Sequence, residues 1–517
     1  MRKISKHIQG VAVALLMGCC FAACSEDTLD RINVNKDNPQ NVPENLLVAD
    51  LLVATAFYNV GGDFNTYLSS YIEHEVGVHN QLSRAEHREG EPQASSTFNN
   101  VWVNLYAVLK NARIAIDKGT ANENFVTRGM ARVLAAYTSA LLTDMFGDTP
   151  WSEASLVTPE GLPVYMNPAI DKQSVIYEGI MTQLDEAIAD LGSTDFSPIT
   201  KEDLVYGGDA AAWIKFAYGL KARYTMRLLY RSTNKTETLN DVISYANLSF
   251  QSFEEQAALS IYDANNLNPL FDFQWSRDAL AASQSLSDKL IARNDPRIRR
   301  VFFDPDWVQM TGADDPNFYM APNGTAEEAQ YTYNTSAFVY SQIAPTLYLS
   351  YHEVLFLKAE ALCRLNNSAD AKPILQEAIT AAFRNMELSV YSALKAPAVM
   401  YYGGLSETSA PLTASDAEAY FTASVEPLFD ANPLQEVMIQ KYLAFFGASG
   451  ESTECYNDVR RLKALGEDFI LLDNPKPFPL RCPYGNADTT TNPEVKEAYG
   501  NGEYVYTENV WWAGGNR

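Results

Sequence analysis

The sequence predicts a mostly α-helical protein in which tetratricopeptide-like helix pairs pack against an irregular, loop-rich lobe. Three observations support this prediction: amphipathic helical spacing recurs along the chain, one central helix is apolar on two sides, and two long stretches lose helical spacing. The composition, with 47% hydrophobic and 20% charged residues, is typical of a globular protein. A chain of 517 residues is long enough for one large domain.

The central helix is predicted at residues 349–365, where its start signal is strongest. Ser350 and Glu353 have the spacing of a capping box, in which each side chain satisfies a backbone N–H at the helix start. Apolar residues form two stripes on this helix, so neighbouring elements must cover both. After a short polar turn, Pro373 suits the first turn of a partner helix. Residues 349–386 therefore form one predicted helix pair.

The N-terminal residues 1–23 have the pattern of a secretory leader, with basic residues, a short apolar run and then small residues. Cys24 follows this leader and precedes a polar stretch, which is typical of the acylated cysteine of a bacterial lipoprotein; Cys19 is a rival position, and an ordinary secreted protein is the alternative. We predict acylation of Cys24. Residues 24–43 then form a tether, and residues 44–517 form a single domain.

Further helix pairs are predicted across residues 46–250. The individual helices are predicted at residues 46–58, 64–72, 101–117, 126–146, 175–191, 209–230 and 241–250. Trp102 and Trp213 fall on helical apolar faces, so we assign both to the core. Residues 74–100 lose the helical spacing, and we predict a long surface loop there, because such loops often carry binding residues.

The irregular lobe is predicted from residues 260–345 and 388–432, which are rich in Pro, Asn, Asp and aromatic residues. Residues 433–517 form a C-terminal part. Of the cysteines beyond the leader and its acylation site, Cys363 lies in the central helix and is predicted to be a buried apolar residue. An oxidising compartment could join Cys455 to Cys482, but their spacing does not decide the geometry, so this pairing stays open.

Charge and motifs exclude several classes of function. The chain has 39 basic and 64 acidic residues, and its net charge of −25 repels nucleic acid. We find no phosphate loop, nucleophile elbow or cysteine-pair metal spacing, so no catalytic residue, metal or cofactor is assigned. His74 and His79 stand five residues apart, not the four of a zinc-protease helix. Asp144 and Asp148 flank a predicted turn and are interpreted as turn and cap residues.

Several separated motifs resemble those of the SusD and RagB type of outer-membrane nutrient-binding lipoproteins of Bacteroidetes, in the SusD-like branch with an Asn-Pro opening. These motifs are residues 29–42, residues 144–154, residues 213–228, Asp295-Pro296-Arg297, the central helix, Gln440-Lys441-Tyr442, and Glu454 and Tyr456 with Arg460 and Arg461. In the tail Pro479, Arg481 and Tyr484 match, but the Pro and Glu that usually follow are absent.

The resemblance implies four tetratricopeptide-like helix pairs that support a variable lobe, and a role as the lid of a TonB-dependent β-barrel transporter. It implies binding rather than catalysis. Ligands in the family are usually glycans, with peptides in some members. We therefore expect a protein that is lipid-anchored in the outer membrane, exposed on the cell surface, and delivers an oligo- or polysaccharide to a SusC-like transporter. A peptide receptor of the same architecture, a glycoside hydrolase and a protein-binding scaffold are the alternatives.

A sugar site needs an aromatic face for the apolar side of the ring and planar polar side chains for its hydroxyl groups. Aromatic residues in the irregular segments are the first candidates, and polar residues of the predicted 74–100 loop are the second. The candidate ligand-binding residues are Trp275, Trp307, Tyr401, Tyr402, Asn80, Gln81 and Arg84.

Overall fold

The structure, a computed structural model, describes residues 42–447 and 450–517. Cys19, Cys24, the predicted leader and nearly all of the tether lie outside these residues. Helices carry most of the described chain, and its strands occur only as short antiparallel pairs. The predicted mostly helical class is therefore confirmed.

The helices follow one another along the chain with few strands between them. In the N-terminal half they are α1 (Glu44–Ala54), α2 (Phe64–Tyr71), α3 (Asn80–His87), α4 (Asn99–Ala121), α5 (Phe125–Phe146), α6 (Gln173–Leu191), α7 (Ala210–Arg227) and α8 (Lys235–Leu248). Beyond them lie α9 (Pro269–Arg277), α10 (Gln284–Ala292), α11 (Tyr351–Arg364), α12 (Ser368–Leu394), α13 (Pro397–Tyr401), α14 (Ala414–Tyr420), α15 (Glu426–Ala431), α16 (Pro433–Phe445), α17 (Ser452–Leu465), α18 (Asn486–Thr489), α19 (Pro493–Tyr499) and α20 (Tyr504–Thr507).

The strands join segments that are distant in sequence. They are β1 (Glu75–Gly77), β2 (Thr149–Pro150), β3 (Ile170–Asp171), β4 (Ala257–Leu259), β5 (Leu280–Ala282), β6 (Phe302–Phe303), β7 (Thr335–Ser336) and β8 (Thr346–Leu349). The antiparallel pairs are β1 with β5, β2 with β3, β4 with β8, and β6 with β7. The β1–β5 pair joins the segment before α3 to the segment between α9 and α10. The β4–β8 and β6–β7 pairs lie within the chain between α8 and α11, and β2–β3 lies in the connection from α5 to α6.

Sequence neighbours pack as helix pairs, as the spacing predicted. α4 packs on α5, α5 on α6, α7 on α8, and α11 on α12. Helix α11 also contacts α8 and α16, so it joins the N-terminal pairs to the C-terminal part. Its side chains are buried along nearly its whole length, which agrees with the two apolar stripes.

In the stretch Glu44–Tyr71 a π-helical segment, Thr55–Asp63, links α1 to α2, with a kink at Gly62, whose φ of −85° and ψ of −132° are not helical. By length and composition this stretch could cross a membrane. Its apolar side chains instead pack in the protein core, where Leu51, Phe64 and Leu68 are fully buried.

The start of α11 confirms half of the predicted capping box. The hydroxyl of Ser350 accepts a hydrogen bond from the backbone N–H of Glu353 at 3.1 Å. The Glu353 carboxylate does not close the box: it accepts hydrogen bonds of 2.7 and 2.6 Å from the buried guanidinium of Arg223 on α7. A charged donor makes a stronger hydrogen bond than a backbone N–H, so the tertiary partner takes the carboxylate.

Buried ion pairs lock α11 to α16 and α17. Glu360 of α11, which is fully buried, accepts hydrogen bonds from Arg461 at 2.6 and 2.7 Å and from Arg364 at 2.8 Å. Asp458 pairs with Arg461 at 2.8 Å and with Lys441 of α16 at 2.7 Å. Burial alone would raise the pKa of Glu360, but the two guanidiniums outweigh it and lower the pKa. The carboxylate therefore stays ionised in the core.

The prediction of a surface loop over residues 74–100 is wrong for its first part. This part forms β1 and α3, and the side chains of His74 and Glu75 are only 2% and 3% exposed. His74 Nε2 donates to the carbonyl oxygen of Tyr442 at 3.0 Å. Strand β1 is buried because it pairs with β5, some 200 residues further on, and local spacing cannot reveal such a contact.

The irregular lobe contains more helix than predicted. Residues 260–345 include α9 and α10, and residues 388–432 are largely covered by the end of α12 and by α13 to α15. Most of these helices are short, so each has too few apolar repeats to show a clear period. Helix α12 also starts earlier than predicted, at Ser368, which places Pro373 beyond its first turn.

Other residues can be compared with their predicted roles. Trp102 and Trp213 are 1% and 0% exposed, which confirms their assignment to the core. Cys363 is buried, as predicted. Cys455 and Cys482, whose pairing the sequence left open, are both free and buried in the structure.

The two aspartates at the turn after α5 also have structural partners. The Asp144 carboxylate is buried and accepts a hydrogen bond from the hydroxyl of Tyr177. Asp148 accepts from the backbone N–H of Gln173 at 2.8 Å, at the first residue of α6, and pairs with Lys172. The cap role predicted for Asp148 is thus seen, whereas Asp144 belongs to the buried core.

The substitution Glu360→Gln should destabilise the protein by about 3 kcal/mol or more, because it leaves buried guanidiniums without their carboxylate. Urea unfolding of a truncated protein, Glu44–Arg517, measures this loss of stability. The control Glu254→Gln removes a carboxylate from an exposed pair with Arg384 and should leave stability nearly unchanged, because solvent screens such a pair. Equal effects of the two substitutions would contradict the assigned role of the buried network.

The substitution Glu75→Gln should remove a pH dependence of stability. Burial raises the pKa of Glu75 from 4.5 to about 8, and among the described residues only Ser336, at 2.5 Å, donates to its carboxylate. Between these pH values the folded state holds a proton that the unfolded state has lost, so stability falls as pH rises, by about 1.4 kcal/mol per pH unit. Thermal unfolding from pH 5 to 9 should show a flatter profile for the variant, whereas Glu89→Gln, at an exposed position, should keep the wild-type slope.

Candidate functional site

Four candidate aromatic residues from three separate segments meet at one place. The ring centroid of Trp275, on α9, lies 6.2 Å from that of Trp307 and 5.9 Å from that of Tyr402. The rings of Tyr402 and Tyr401 are 5.0 Å apart and nearly perpendicular. We call Trp275, Trp307, Tyr401 and Tyr402 the aromatic platform.

Helix α9 positions Trp275. The side chain of Asn268 caps its start by accepting from the N–H of Leu270 at 3.0 Å, and Pro269 occupies the first turn. The buried ring of Phe271 stacks on Trp275, with centroids 5.4 Å apart and planes 18° apart. Trp275 is therefore supported from below and only half-buried.

Trp307 is held by the backbone of its own loop. Its φ of 65° lies in the left-handed region, which a bulky side chain seldom adopts without a surrounding structure that enforces it. Its carbonyl oxygen accepts from the N–H of Ser406 at 2.8 Å. The buried amide of Gln309 accepts from the N–H groups of Thr408 and Ser409, each at 2.8 Å. These bonds fix the loop of Trp307 to the segment that follows Tyr402.

Tyr401 and Tyr402 are the exposed end of the platform. Their exposed fractions are 83% and 68%. Gly403 and Gly404, with φ of 114° and 81°, turn the chain sharply at the end of α13. An exposed aromatic pair beside two half-buried indoles offers flat apolar surface for stacking.

Sequence reasoning missed one aromatic neighbour of the platform, Tyr340, and one exposed tyrosine at the end of α9, Tyr331. The ring of Tyr340 lies 5.9 Å from Trp307 beneath the surface, and Tyr331 is 74% exposed with its N–H 3.2 Å from the Asp278 carboxylate at the end of α9. No local signal separates Tyr331 from Tyr333, which is buried. Only the contact with α9 identifies Tyr331.

The polar candidates occupy a different place. Gln81 and Arg84, both on α3, line a cleft of about 850 Å³ together with Phe273 and Arg277 of α9. Asn80 does not line it: its backbone N–H donates to the carboxylate of Glu328 at 2.7 Å. Of the seven candidates, four form the platform, two line the cleft, and Asn80 instead contacts Glu328.

We call this space the α9 cleft. It lies between the π-helical segment, α2, α3, the start of α4 and α9. The lining residues with aromatic, amide or charged side chains are Phe57, Tyr58, Asp63, Tyr67, Gln81, Arg84, Glu91, Asn100, Asn265, Asn266, Asp272, Phe273 and Arg277. Trp275 does not belong to this lining, so α9 contributes to both the cleft and the platform.

Charged groups in the cleft are partly desolvated. Burial raises the pKa of Asp63, while a hydrogen bond from Asn100 and the charge of Arg277 oppose the rise. Burial likewise raises the pKa of Glu91, opposed by the charge of Arg84. Neither guanidinium forms a salt bridge with any residue that the structure describes. Both remain available to a ligand.

The arrangement suits binding of a ring that bears hydroxyl groups. Flat apolar faces and amide, carboxylate and guanidinium groups are both present. The apolar faces suit the ring, and the polar groups suit its hydroxyl groups. In the described ranges no group of three or more His, Cys, Asp and Glu side chains is placed to hold a metal ion. His74 is bonded inside the core, and His79 lies near Glu328.

Comparisons with known proteins agree with this architecture. A family model described as starch-binding and associating with the outer membrane matches residues 48–484. No curated protein matches the chain. A solved SusD/RagB family protein from Bacteroides thetaiotaomicron VPI-5482 is 52% identical, with a TM-score of 0.87 over 92% of this chain and 100% of its own.

Two more distant structures share the fold. A chitin-binding protein is 21% identical, with a TM-score of 0.69 over 90% of this chain and 99% of its own. A SusD homolog from Bacteroides fragilis NCTC 9343 is 19% identical, with a TM-score of 0.68 over 92% of this chain and 100% of its own. The resemblance seen in the sequence motifs is confirmed. The chain belongs to the SusD/RagB family of binding proteins that associate with the outer membrane.

Proposed function

We propose that the protein captures a glycan at the cell surface and delivers it to a SusC-like TonB-dependent transporter. The acylated Cys24 holds it in the outer membrane, and residues 24–43 tether the domain. The protein binds its ligand without cleaving it. The family description, starch-binding and associating with the outer membrane, supports both the ligand class and the location.

The observation that carries this proposal is the convergence on the aromatic platform. Trp275, Trp307 and Tyr402 are separated by 32 and 95 residues in sequence, yet the rings of Trp307 and Tyr402 lie 6.2 and 5.9 Å from the ring of Trp275. The exposure of Tyr401 and Tyr402 leaves large apolar surface in water, which a folded protein seldom keeps without a partner. The apolar face of a pyranose ring is a suitable partner for such a surface.

The polar α9 cleft complements the platform. Aromatic rings can stack on many different sugars, whereas hydrogen bonds to hydroxyl groups distinguish one sugar from another. Gln81, Arg84 and Asn100 supply such groups beside the aromatic rings of the cleft. A glycan chain can therefore be held by stacking on one side of α9 and recognised by polar groups on the other.

The substitution Tyr402→Ala should weaken glycan binding by about 2- to 12-fold, because one stacked aromatic contributes about 0.5–1.5 kcal/mol. Calorimetric titration of the soluble domain, Glu44–Arg517, against a panel of plant, host and microbial glycans measures the effect. A matched control is Phe196→Ala, which removes an aromatic side chain that is 86% exposed and lies outside the platform.

The same titration distinguishes the alternatives. Equal loss with both variants, or no loss with either, would contradict binding at the platform. Release of shorter sugars during the titration would indicate a hydrolase. Saturable binding of a peptide digest with no response to any glycan would indicate a peptide receptor.

The substitution Cys24→Ala should abolish incorporation of a radiolabelled fatty acid and release the protein from the outer-membrane fraction, because a thiol is required for acylation. Cys19→Ala is the control and should leave both labelling and location unchanged. Labelling that survives Cys24→Ala and disappears with Cys19→Ala would move the anchor to the rival position.

A further inference from the structure

We infer that the α9 cleft recognises a neutral sugar ring through adjacent hydroxyl groups and discriminates against acidic glycans. This inference rests on the proposed function and names its ligand class. It depends on three observations: the balance of charges in the cleft, two pairs of a carboxylate and a guanidinium that form no salt bridge, and polar atoms without a hydrogen-bond partner among the described residues.

The charges of the cleft do not favour an anion. Its lining contains three carboxylates, Asp63, Glu91 and Asp272, against two guanidiniums, Arg84 and Arg277. The whole chain carries a net charge of −25. A uronic acid or sulfate group would therefore meet an unfavourable potential both on approach and in the cleft.

The acids and guanidiniums form two open pairs. Arg84 is the cation whose charge acts on Glu91, and Arg277 is the cation whose charge acts on Asp63. All four charges act on the hydroxyl of Tyr67, which places it among them. In neither pair do the charged atoms approach within salt-bridge distance.

A sugar hydroxyl can close such a pair. A hydroxyl group donates one hydrogen bond and accepts others, so it can donate to a carboxylate and accept from a guanidinium at the same time. Hydrogen bonds with one charged partner are roughly twice as strong as neutral ones. Each hydroxyl group of a neutral ring can serve a carboxylate and a guanidinium of the cleft, whereas a carboxylate ligand could satisfy only the guanidiniums.

Unpartnered polar atoms in the cleft point to the same ligand. Thr97, which is 7% exposed, lines the cleft, and its hydroxyl has no hydrogen-bond partner among the described residues. The Oε2 atom of Glu91 also lacks one there. A buried polar group without a partner is unfavourable, and a ligand that brings both donors and acceptors removes this penalty.

Aromatic rings complete the recognition of a sugar. Tyr58 is 56% exposed at the cleft, and Phe273 lies beneath the guanidinium of Arg277, at 5.1 Å. Aromatic faces of this kind contact the C–H side of a pyranose while the polar groups reach its hydroxyl edge. A small inorganic anion would use none of this surface.

The test is a titration of the soluble domain, Glu44–Arg517, with matched glycans. The neutral probes are maltoheptaose, laminarin and galactomannan, and the acidic probes are polygalacturonate and chondroitin sulfate. We expect saturable binding of a neutral probe and at least 10-fold weaker binding of both acidic probes. Binding of either acidic probe within 10-fold of the neutral probe would overturn the inference, as would binding of peptides alone.

Two substitutions assign the selectivity to the cleft. Glu91→Gln should weaken binding of the neutral probe by about 10-fold or more, because a hydrogen bond to a charged group contributes about 1.5–3 kcal/mol. The control Glu89→Gln removes a nearby exposed carboxylate outside the cleft and should leave affinity unchanged. Unchanged affinity in Glu91→Gln would overturn the inference.

Thr97→Val guards against effects on folding. It replaces an unpartnered buried hydroxyl by a methyl group of the same shape, so the thermal unfolding temperature should not fall. Affinity for the neutral probe should nevertheless fall. Loss of affinity in Tyr402→Ala with unchanged affinity in Thr97→Val would leave the proposed function intact and overturn this inference, whereas absence of any glycan binding would overturn both.

Discussion

The fold depends on charges that are buried in the core and have to be paired there. Arg223 on α7 pairs with Glu353 on α11, and Arg461 on α17 pairs with Glu360 on the same helix. Each of these four side chains is at most 3% exposed. Removing one partner from a buried pair costs about 3–5 kcal/mol, so the network permits only one register between these helices. Helix α11 is central because it carries carboxylates for both neighbours.

The candidate site lies on elements that this frame supports but does not contain. The α9 helix, the loop of Trp307 and the segment after α13 are attached by hydrogen bonds, such as those of Gln309, and by short strand pairs. A rigid frame with variable attached segments allows the binding surface to differ while the helices keep their packing. Trp307 accepts a left-handed backbone because this attachment enforces it.

Helix α9 gives the site two chemistries. Trp275 contributes an apolar face to the platform, while Phe273 and Arg277 contribute to the polar cleft. Stacking and hydrogen bonding to hydroxyl groups meet the two needs of a sugar ligand, and neither requires a catalytic group. Glu75 precedes α3, which lines the cleft, but its side chain is buried in the core, where burial keeps it protonated at neutral pH.

The longer helices, their pairing and the family could be predicted from local sequence patterns. Helical spacing reports which residues share a face within a few turns, so it located α4 to α8 and α11, and it assigned Trp102 and Trp213 to the core. The cap at Ser350 is equally local. The order of many short motifs identified the family, because each motif is readable within the chain.

Contacts between residues that are distant in sequence are visible only in the folded structure. In the folded protein Trp275 lies beside Trp307 and Tyr402, and Gln81 and Arg84 line a separate cleft. Glu353 pairs with a guanidinium 130 residues away. Local periodicity carries no information on such contacts, because they depend on how whole helices and strands pack. The short helices of the lobe and the burial of β1 were missed for the same reason.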